Sequence, residues 1–468
     1  MKYDLSASDQ LRRIYPKEGM APEFSREVTF QVTERCSLQC TYCYQINKSP
    51  KVMSWDVAKD IVDLLFKMYD DNIEGAFITK KTKMIILDFI GGEPLLEVEL
   101  MDKICDYFWK TAIKKRHIWA NTFMISIATN GVAHFEPEVQ KFLYKYRHHL
   151  SYSVSIDGPK EMHDACRVFP DGSGSFDLAK AAQDDFNKHF YDSIGTKATL
   201  ARANLPMLST LIKYYVGQGF EQIHANYVYE EEWNEDDAKL LYDQLKETAD
   251  YILSLDKEVE LALFEDIFFK PKDESDNHNW CGGTGAMLAF NPDGVAYPCI
   301  RYMESSVGDD VDPLVIGNTQ GLYNTDKFIG IRDFLDSITR RSQSTDECWY
   351  CPIGEGCSWC SAWNYQYMGS PNRRCTNICV MHKARSLANI YFWNKKYQKE
   401  GQKKTFKRWL NDEEALKIIS KEELKMLDSL INEDYEIVNN IDFKYDINKY
   451  LNSIGQNKEA KDKYAKKQ

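Results

Sequence analysis

The chain has 468 residues, enough for two or three domains and a substantial buried core. Apolar residues make up 43% and charged residues 28%, the composition of a folded protein. A net charge of −12 argues against a nucleic-acid or anionic-membrane binder, since both favour a basic surface. No apolar run approaches bilayer-spanning length, and the polar segment Met1 to Pro16 lacks the apolar core of a secretory signal. The expected compartment is the cytoplasm.

In chain order, short runs rich in β-branched and aromatic residues predict strands at Val28–Val32, Met84–Ile90, Phe123–Ala128, Tyr152–Ile156, Lys197–Ala201 and Gln222–Val228. Between the first two, Val57, Ile61, Leu64, Leu65 and Met68 recur at helical spacing within Trp55–Tyr69. Further helices are expected at Leu100–Lys114, Leu178–Phe190, Leu205–Gln218 and Asp236–Leu255. The acidic run Glu230–Asp237 reads as a solvated turn or helix start. Strand–helix alternation predicts a parallel sheet with helices outside. Six such units suit an open, partial barrel and not a closed one of eight; periodicity does not decide whether the sheet curls. From about Lys270 to Cys379, Gly, Pro, Asn and Asp become frequent and periodicity weakens. That segment lacks the apolar content of a conventional core and is expected to be held by bound metal. Beyond it, Ala384, Leu387, Ala388, Tyr391 and Phe392 mark a helix face. From Gln402 onward the chain is Lys-rich and ends in a frayed basic tail.

The thirteen cysteines are an odd number in a large chain without a visible export signal, which argues against a disulfide framework. Three lie within Cys36–Cys43 and eight between Cys281 and Cys379; Cys105 and Cys166 stand alone and read as structural thiols. The first group, Cys36-x3-Cys40-x2-Cys43, follows directly on a strand, at the rim where βα sheets build their sites. Three thiolates on one short loop can ligate three irons of a 4Fe–4S cube and leave the fourth open. An incomplete zinc knuckle is the competing reading, although no nearby residue supplies an obvious fourth ligand.

CxxxCxxC after the first strand, with Tyr42 just before the last cysteine, resembles the radical S-adenosylmethionine superfamily. GGEP at Gly91–Pro94, ATNG at Ala128–Gly131 and SIDGP at Ser155–Pro159 follow successive strands, and HDACR at His163–Arg167 comes next. The resemblance spans about Val28 to Leu255. It implies a partial (β/α)6 TIM-type barrel in which Cys36, Cys40 and Cys43 hold the cluster that binds S-adenosylmethionine. Gly91, Gly92 and Glu93 would meet the cofactor's methionine amine and Arg167 its carboxylate, a charge-assisted pairing. Asn130 and Ser155 would reach ribose or carboxylate, and Leu200 would pack on the adenine.

The later cysteines, Cys281, Cys299, Cys348, Cys351, Cys357, Cys360, Cys375 and Cys379, resemble the SPASM extension with its two auxiliary 4Fe–4S clusters. By that resemblance Cys281, Cys299 and Cys360 hold the first cluster. Cys348, Cys351 and Cys357 hold the second, completed by Cys379, which opens a helix, or by its competitor Cys375; with Cys379 in place, Cys375 is a fourth ligand of the first or an unligated neighbour. Two residues separate Cys357 from Cys360 where the family usually has three. The implied division is a leader segment (1–27), a barrel (28–255), a SPASM domain (256–397) and a helical Lys-rich extension (398–468).

Members with this extension mostly modify peptides or proteins: the cleaved cofactor yields a radical that takes hydrogen from an unactivated C–H bond. CSWCSAWNYQYMGSPNRRCTNICVMHKA resembles maturases of cysteine-rich ribosomal peptides, which implies a thioether crosslink from cysteine. The implied partners are a precursor peptide and an electron donor such as flavodoxin or ferredoxin, with no nucleic acid and no membrane. A carbon–carbon crosslink, epimerisation or anaerobic sulfatase maturation is the alternative, the last weakened by Ile300 where many sulfatase-maturing enzymes carry an acidic residue. A non-catalytic metal-binding module is the reading from another class. Residues 1–27 are too few for a winged-helix leader-binding element, so precursor capture is expected in the C-terminal region or on a partner.

Overall fold

Alternation along the first strands sends successive side chains to opposite faces. On β1 (Ser25–Thr33), Val28, Phe30 and Val32 are buried on one side, while Glu27, Thr29 and Gln31 occupy the other. On β2 (Met84–Gly91), Ile85, Leu87 and Phe89 are buried and Asp88 takes the opposite face. The apolar side packs beneath α1 (Trp55–Asp71) and α2 (Val98–Lys114), whose Phe66 and Phe108 rings meet 5.3 Å apart. Phe108 in turn lies 5.4 Å from Phe123 of β3 (Phe123–Thr129). Helix α1 begins where the Ser54 side chain accepts from the Val57 amide and ends on Asn72 in the left-handed conformation, a capped unit at both ends.

The computed structural model describes residues 24–190, 196–264, 281–321, 326–349, 351, 353–354 and 357–439. The polar leader and the basic tail fall outside them. The chain divides into two compact units. One comprises Met1–Ile156, His163–Ile194 and Trp280–Ser337, the other Asp157–Met162, Gly195–Asn279 and Ile338–Gln468.

In the first unit β1, β2, β3 and β4 (Leu150–Val154) pair in parallel in that order. Helix α3 (Pro137–Tyr146) between β3 and β4 is absent from the sequence expectation, although Pro137 at its first turn marks the start. Helix α4 (Phe176–His189) follows β4. The second unit holds β5 (Thr196–Leu200), α5 (Leu208–Gly217), β6 (Gln222–Tyr227) and α6 (Glu235–Ser254). With β7 (Glu260–Leu261), β5 and β6 form a separate three-stranded parallel sheet. Asn234 opens α6 in a reciprocal cap with Asp237, which makes the acidic run a helix start.

One expectation is corrected. The glycine-rich stretch after residue 280 contributes to an ordinary core: β8 (Met287–Phe290) pairs in parallel with β1 on its free edge. It turns back as the antiparallel β9 (Val295–Tyr297), which pairs with β10 (Gly317–Asn318). Leu288, Ala289, Phe290, Tyr297 and Tyr302 are fully buried there. Gly294, at φ +77°, makes the turn. Beyond it, α7 (Asp326–Asp336) closes the first unit. In the second unit α8 (Ser361–Met368) precedes α9 (Cys379–Lys399), which packs against α6 and buries all five residues of the expected apolar face. Among the described residues no helix is long and apolar enough to cross a membrane.

On the opposite face, Thr29 Oγ1 donates to Asp88 Oδ2 at 3.0 Å, and Ser126 bonds the same carboxylate. Burial, with the neighbouring Asp88 charge, pushes the Glu27 carboxyl up to about 7. A carboxyl raised in the folded state holds a proton that the unfolded chain has released. Its contribution to stability is complete below pH 4.5 and is lost as pH rises through 7. Thermal unfolding of the wild type should therefore show a Tm that declines across that window relative to Glu27→Gln, and parallel Tm curves would refute the assignment.

Candidate functional site

The loop leaving β1 carries Cys36, Cys40 and Cys43 and returns beside the strand it left. The Glu34 amide donates to the Lys51 carbonyl (3.0 Å) and the Met53 amide to the Val32 carbonyl (2.9 Å). Leu38, 3% exposed, pins the middle of the loop. A second strap comes from the segment after β4: Gln39 and Thr41 donate their amides to the carbonyls of Val168 (2.7 Å) and Cys166 (3.0 Å). Cys166 thus has a structural part to play through its backbone, and Cys105 is a fully buried core thiol on α2. None of the thirteen cysteines forms a disulfide.

Two glycines let β2 end against this loop. The Gly92 amide donates to the Thr33 carbonyl (3.0 Å) and the Glu93 amide to the Arg35 carbonyl (2.8 Å). A Cβ on Gly91 would stand 2.6 Å from the Thr33 carbonyl oxygen, and one on Gly92 would collide with the Arg35 carbonyl. The approach delivers Glu93, 1% exposed, into a fixed cradle. Its Oε1 accepts from Thr129 Oγ1 (2.6 Å) and the Leu95 amide (3.1 Å), and its Oε2 accepts from the Asn130 amide (2.8 Å). Burial raises the Glu93 carboxyl above its ordinary value, opposed by those three bonds and by the charge of Arg167.

Asn130 joins the glutamate to the cysteine loop. Its Nδ2 donates to Ser37 Oγ (3.0 Å) and lies 3.8 Å from Cys36 Sγ, while its Oδ1 accepts from the Val132 amide (2.9 Å). Gly131 then turns at φ +80°. The Ser155 amide bonds the Thr129 carbonyl just past β4 (2.9 Å). The Arg167 guanidinium lies 5.4 Å from the Tyr42 ring centre and close enough to Cys40 to lower its thiol. Burial nonetheless pushes Cys40 up to about 11, and burial also raises Cys36. The structure therefore brings Cys36, Cys40, Cys43, Tyr42, Gly91, Gly92, Glu93, Asn130, Ser155 and Arg167 together at one edge of one sheet. Leu200, fully buried at the end of β5, belongs to the other unit.

Three residues here escape sequence reasoning. Lys48 hydrogen-bonds Cys43 and, although burial opposes it, the nearby thiols hold its ammonium above the ordinary value. Tyr44 feels the charges of both Cys43 and Cys299 after the dominant effect of burial, and Arg301 lies 5.2 Å over its ring. Both lie within five residues of Cys43, yet a lone Lys or Tyr in a loop carries no pattern of its own. The third is Thr129, whose hydroxyl completes the Glu93 cradle.

In the second unit Cys348, Cys351, Cys357 and Cys379 share one environment: each of the other three raises the Cys379 thiol, after burial. Burial drives Cys351 up to about 12, helped by Cys357 and Cys348. Cys357 goes the other way. Burial alone would raise it, but Arg374, His382 and Arg340 bring it down to about 6. Cys379 opens α9, a position that favours a thiolate. Cys375 has other partners: its Sγ donates to Asn377 Oδ1 (3.2 Å) and its amide to Asn364 Oδ1 (2.8 Å). Cys360 accepts from the Trp363 amide at the start of α8 (3.4 Å). Cys281 and Cys299 flank the β8–β9 hairpin in the first unit.

The donor sets suit iron–sulfur clusters: three thiols on one loop with backbone and amide donors at Cys36, and four thiols that act on one another, one buried and three half-buried. Among the described residues no three Cys, His, Asp or Glu side chains are gathered as around a single metal ion.

A family model described as a 4Fe-4S single cluster domain matches residues 25–164. An uncharacterized protein of Methanocaldococcus jannaschii is 30% identical over 200 residues, covering 42% of this chain and 61% of that protein, so the chain spans less than two thirds of it. The radical SAM cyclopropyl synthase TigE of Paramaledivibacter caminithermalis is 20% identical over 379 residues, 76% of this chain and 71% of TigE. A cysteine-type anaerobic sulfatase-maturating enzyme of Clostridium perfringens is 25% identical over 159 residues, 33% of this chain and 38% of that enzyme. Among solved structures, native anSMEcpe with bound AdoMet and Kp18Cys peptide shares the fold, with TM-score 0.56, 19% identity, and coverage of 77% of this chain and 96% of that one.

The carbonyl contacts make a specific demand on Gly92. Gly92→Ala should destabilise the protein by about 1–3 kcal/mol, whereas Gly217→Ala, in a helix and with a Cβ that meets nothing within 4 Å, should leave stability unchanged or raise it by up to about 1 kcal/mol. Denaturant unfolding of the two variants checks this, and equal midpoints would show that the cradle yields.

Proposed function

We propose that the chain is a radical S-adenosylmethionine protein of the SPASM-type maturase group that reductively cleaves S-adenosylmethionine and takes hydrogen from a ribosomally made peptide. The carrying observation is the cradle: a three-cysteine loop, a buried glutamate and an arginine held together at the ends of successive parallel strands. When bound, cluster and cofactor supply the electron and the radical chemistry that breaks an unactivated C–H bond.

The chain's own residues bind and orient. Cys36, Cys40 and Cys43 ligate the cluster, and Gly91 and Gly92 admit the cofactor's methionine beside the loop. A carboxylate offers about four lone-pair positions; Glu93 commits one on Oε2 and two on Oε1, which leaves Oε2 available to an ammonium group. Arg167 pairs with the carboxylate and steadies Tyr42. Asn130 and Ser155 meet ribose or carboxylate. Cys281 and Cys299 of the first unit serve a first auxiliary cluster. Cys348, Cys351, Cys357 and Cys379 ligate a second.

This reading takes the six strands as a partial (β/α)6 barrel over 28–255, preceded by a leader segment (1–27). A SPASM domain (256–397) and a C-terminal extension (398–468) follow it. The protein would work in the cytoplasm with a flavodoxin or ferredoxin as electron donor. The proposed product is a thioether from a substrate cysteine. A carbon–carbon product is the second reading, favoured by similarity to a cyclopropyl synthase across 76% of this chain.

Anaerobic reconstitution should give about 12 irons per chain for three cubes, and dithionite should elicit 5′-deoxyadenosine from wild type and none from Cys40→Ala. Equal cofactor cleavage by that variant would remove the site assignment. Alkylation of the product peptide before mass spectrometry separates the two chemistries: a thioether consumes a cysteine thiol, and a carbon–carbon bond leaves every thiol open to the reagent.

A further inference from the structure

The four-cysteine centre of the second unit sits in cationic surroundings that cluster ligation alone does not require. Arg374 is 7% exposed, and its Nη2 lies 2.7 Å from Cys357 Sγ and 2.9 Å from the Cys357 carbonyl oxygen. Its guanidinium carbon stands 4.9 Å from the centre of the Trp359 ring, and its amide is fixed to the Gln343 carbonyl (2.9 Å). Arg340, 3% exposed, lies 5.9 Å from the same ring. His382, 1% exposed on the first turn of α9, stands close enough to Cys357 to act on its thiol. The fit is close: a Cβ on Gly354 would come 2.9 Å from the Cys351 carbonyl and 3.2 Å from an Arg340 amino group.

A buried guanidinium is costly unless opposite charge meets it, and here the groups that meet Arg374 are the thiols. A cube on four thiolates carries a charge of about −2 when oxidised and gains another negative charge on reduction. In a water-poor setting that extra charge is disfavoured, and a fixed cation bonded to a ligand sulfur offsets the penalty. Resting on the reading of this quartet as a 4Fe–4S centre, we infer that Arg374, supported by Arg340 and His382, is a positioning residue that raises the reduction potential of that centre through its bond to Cys357.

The test is an EPR-monitored redox titration, with dithionite as reductant, of the full chain reconstituted with iron and sulfide. The double variant Cys348→Ser/Cys351→Ser identifies the signal by losing about four irons; if it keeps wild-type iron content, the quartet reading fails whatever Arg374 does. With the signal assigned, Arg374→Gln should retain full iron and become reducible at lower potential, by about tenfold in the reduction equilibrium, ~59 mV for one electron. Arg374→Lys, which keeps the charge, should shift less. An unmoved potential in Arg374→Gln, an equal shift in both variants, or loss of about four irons from Arg374→Gln would each overturn the inference.

Discussion

The first unit's site depends on one close approach of backbone to backbone. The end of β2 can lie against the carbonyls of Thr33 and Arg35 only because Gly91 and Gly92 present no Cβ there. From that contact the rest follows. Glu93 is delivered into the interior, where Thr129, Asn130 and Leu95 satisfy it. Asn130 passes the constraint on to the cysteine loop through Ser37, and the loop is fastened on its far side by the carbonyls of Cys166 and Val168. A site built this way is rigid before any cofactor arrives, which limits the ordering cost of binding.

The two cysteine groups solve the burial of sulfur differently. Around Cys36, Cys40 and Cys43 the thiols are half-buried and answered by amide donors, one lysine and one arginine at the edge of the sheet. Around Cys357 the answering charges are themselves buried, and they are numerous enough to reverse the effect of burial on that thiol. There a guanidinium touches a sulfur directly.

The strand expectations were legible because each strand is a short β-branched run closed by a turn signal. The glycine-bearing motifs were legible because they follow those runs at the rim. Helix α3 escaped notice since Pro137 begins it after a polar turn and its apolar face is short. The β8–β9 hairpin escaped because MLAF sits in a glycine-rich context, and its apolar character matters only once β1 offers it a free edge. Lys48 and Tyr44 carry no motif, Thr129 draws no role from its place within ATNG, and their importance comes from what folding places beside them.

Sequence by itself determined the chemical class of the donors: sulfur at fixed short spacings, and a glycine pair just ahead of a glutamate. Spacing of that kind acts within a loop, where covalent geometry restricts reach. Tertiary structure alone decided which distant groups meet. It gave Cys375 to Asn377, set Arg374 on Cys357, and closed Thr129 onto Glu93. Those choices turn on packing and on where a buried charge finds its counter-charge, neither of which is written in local order along the chain.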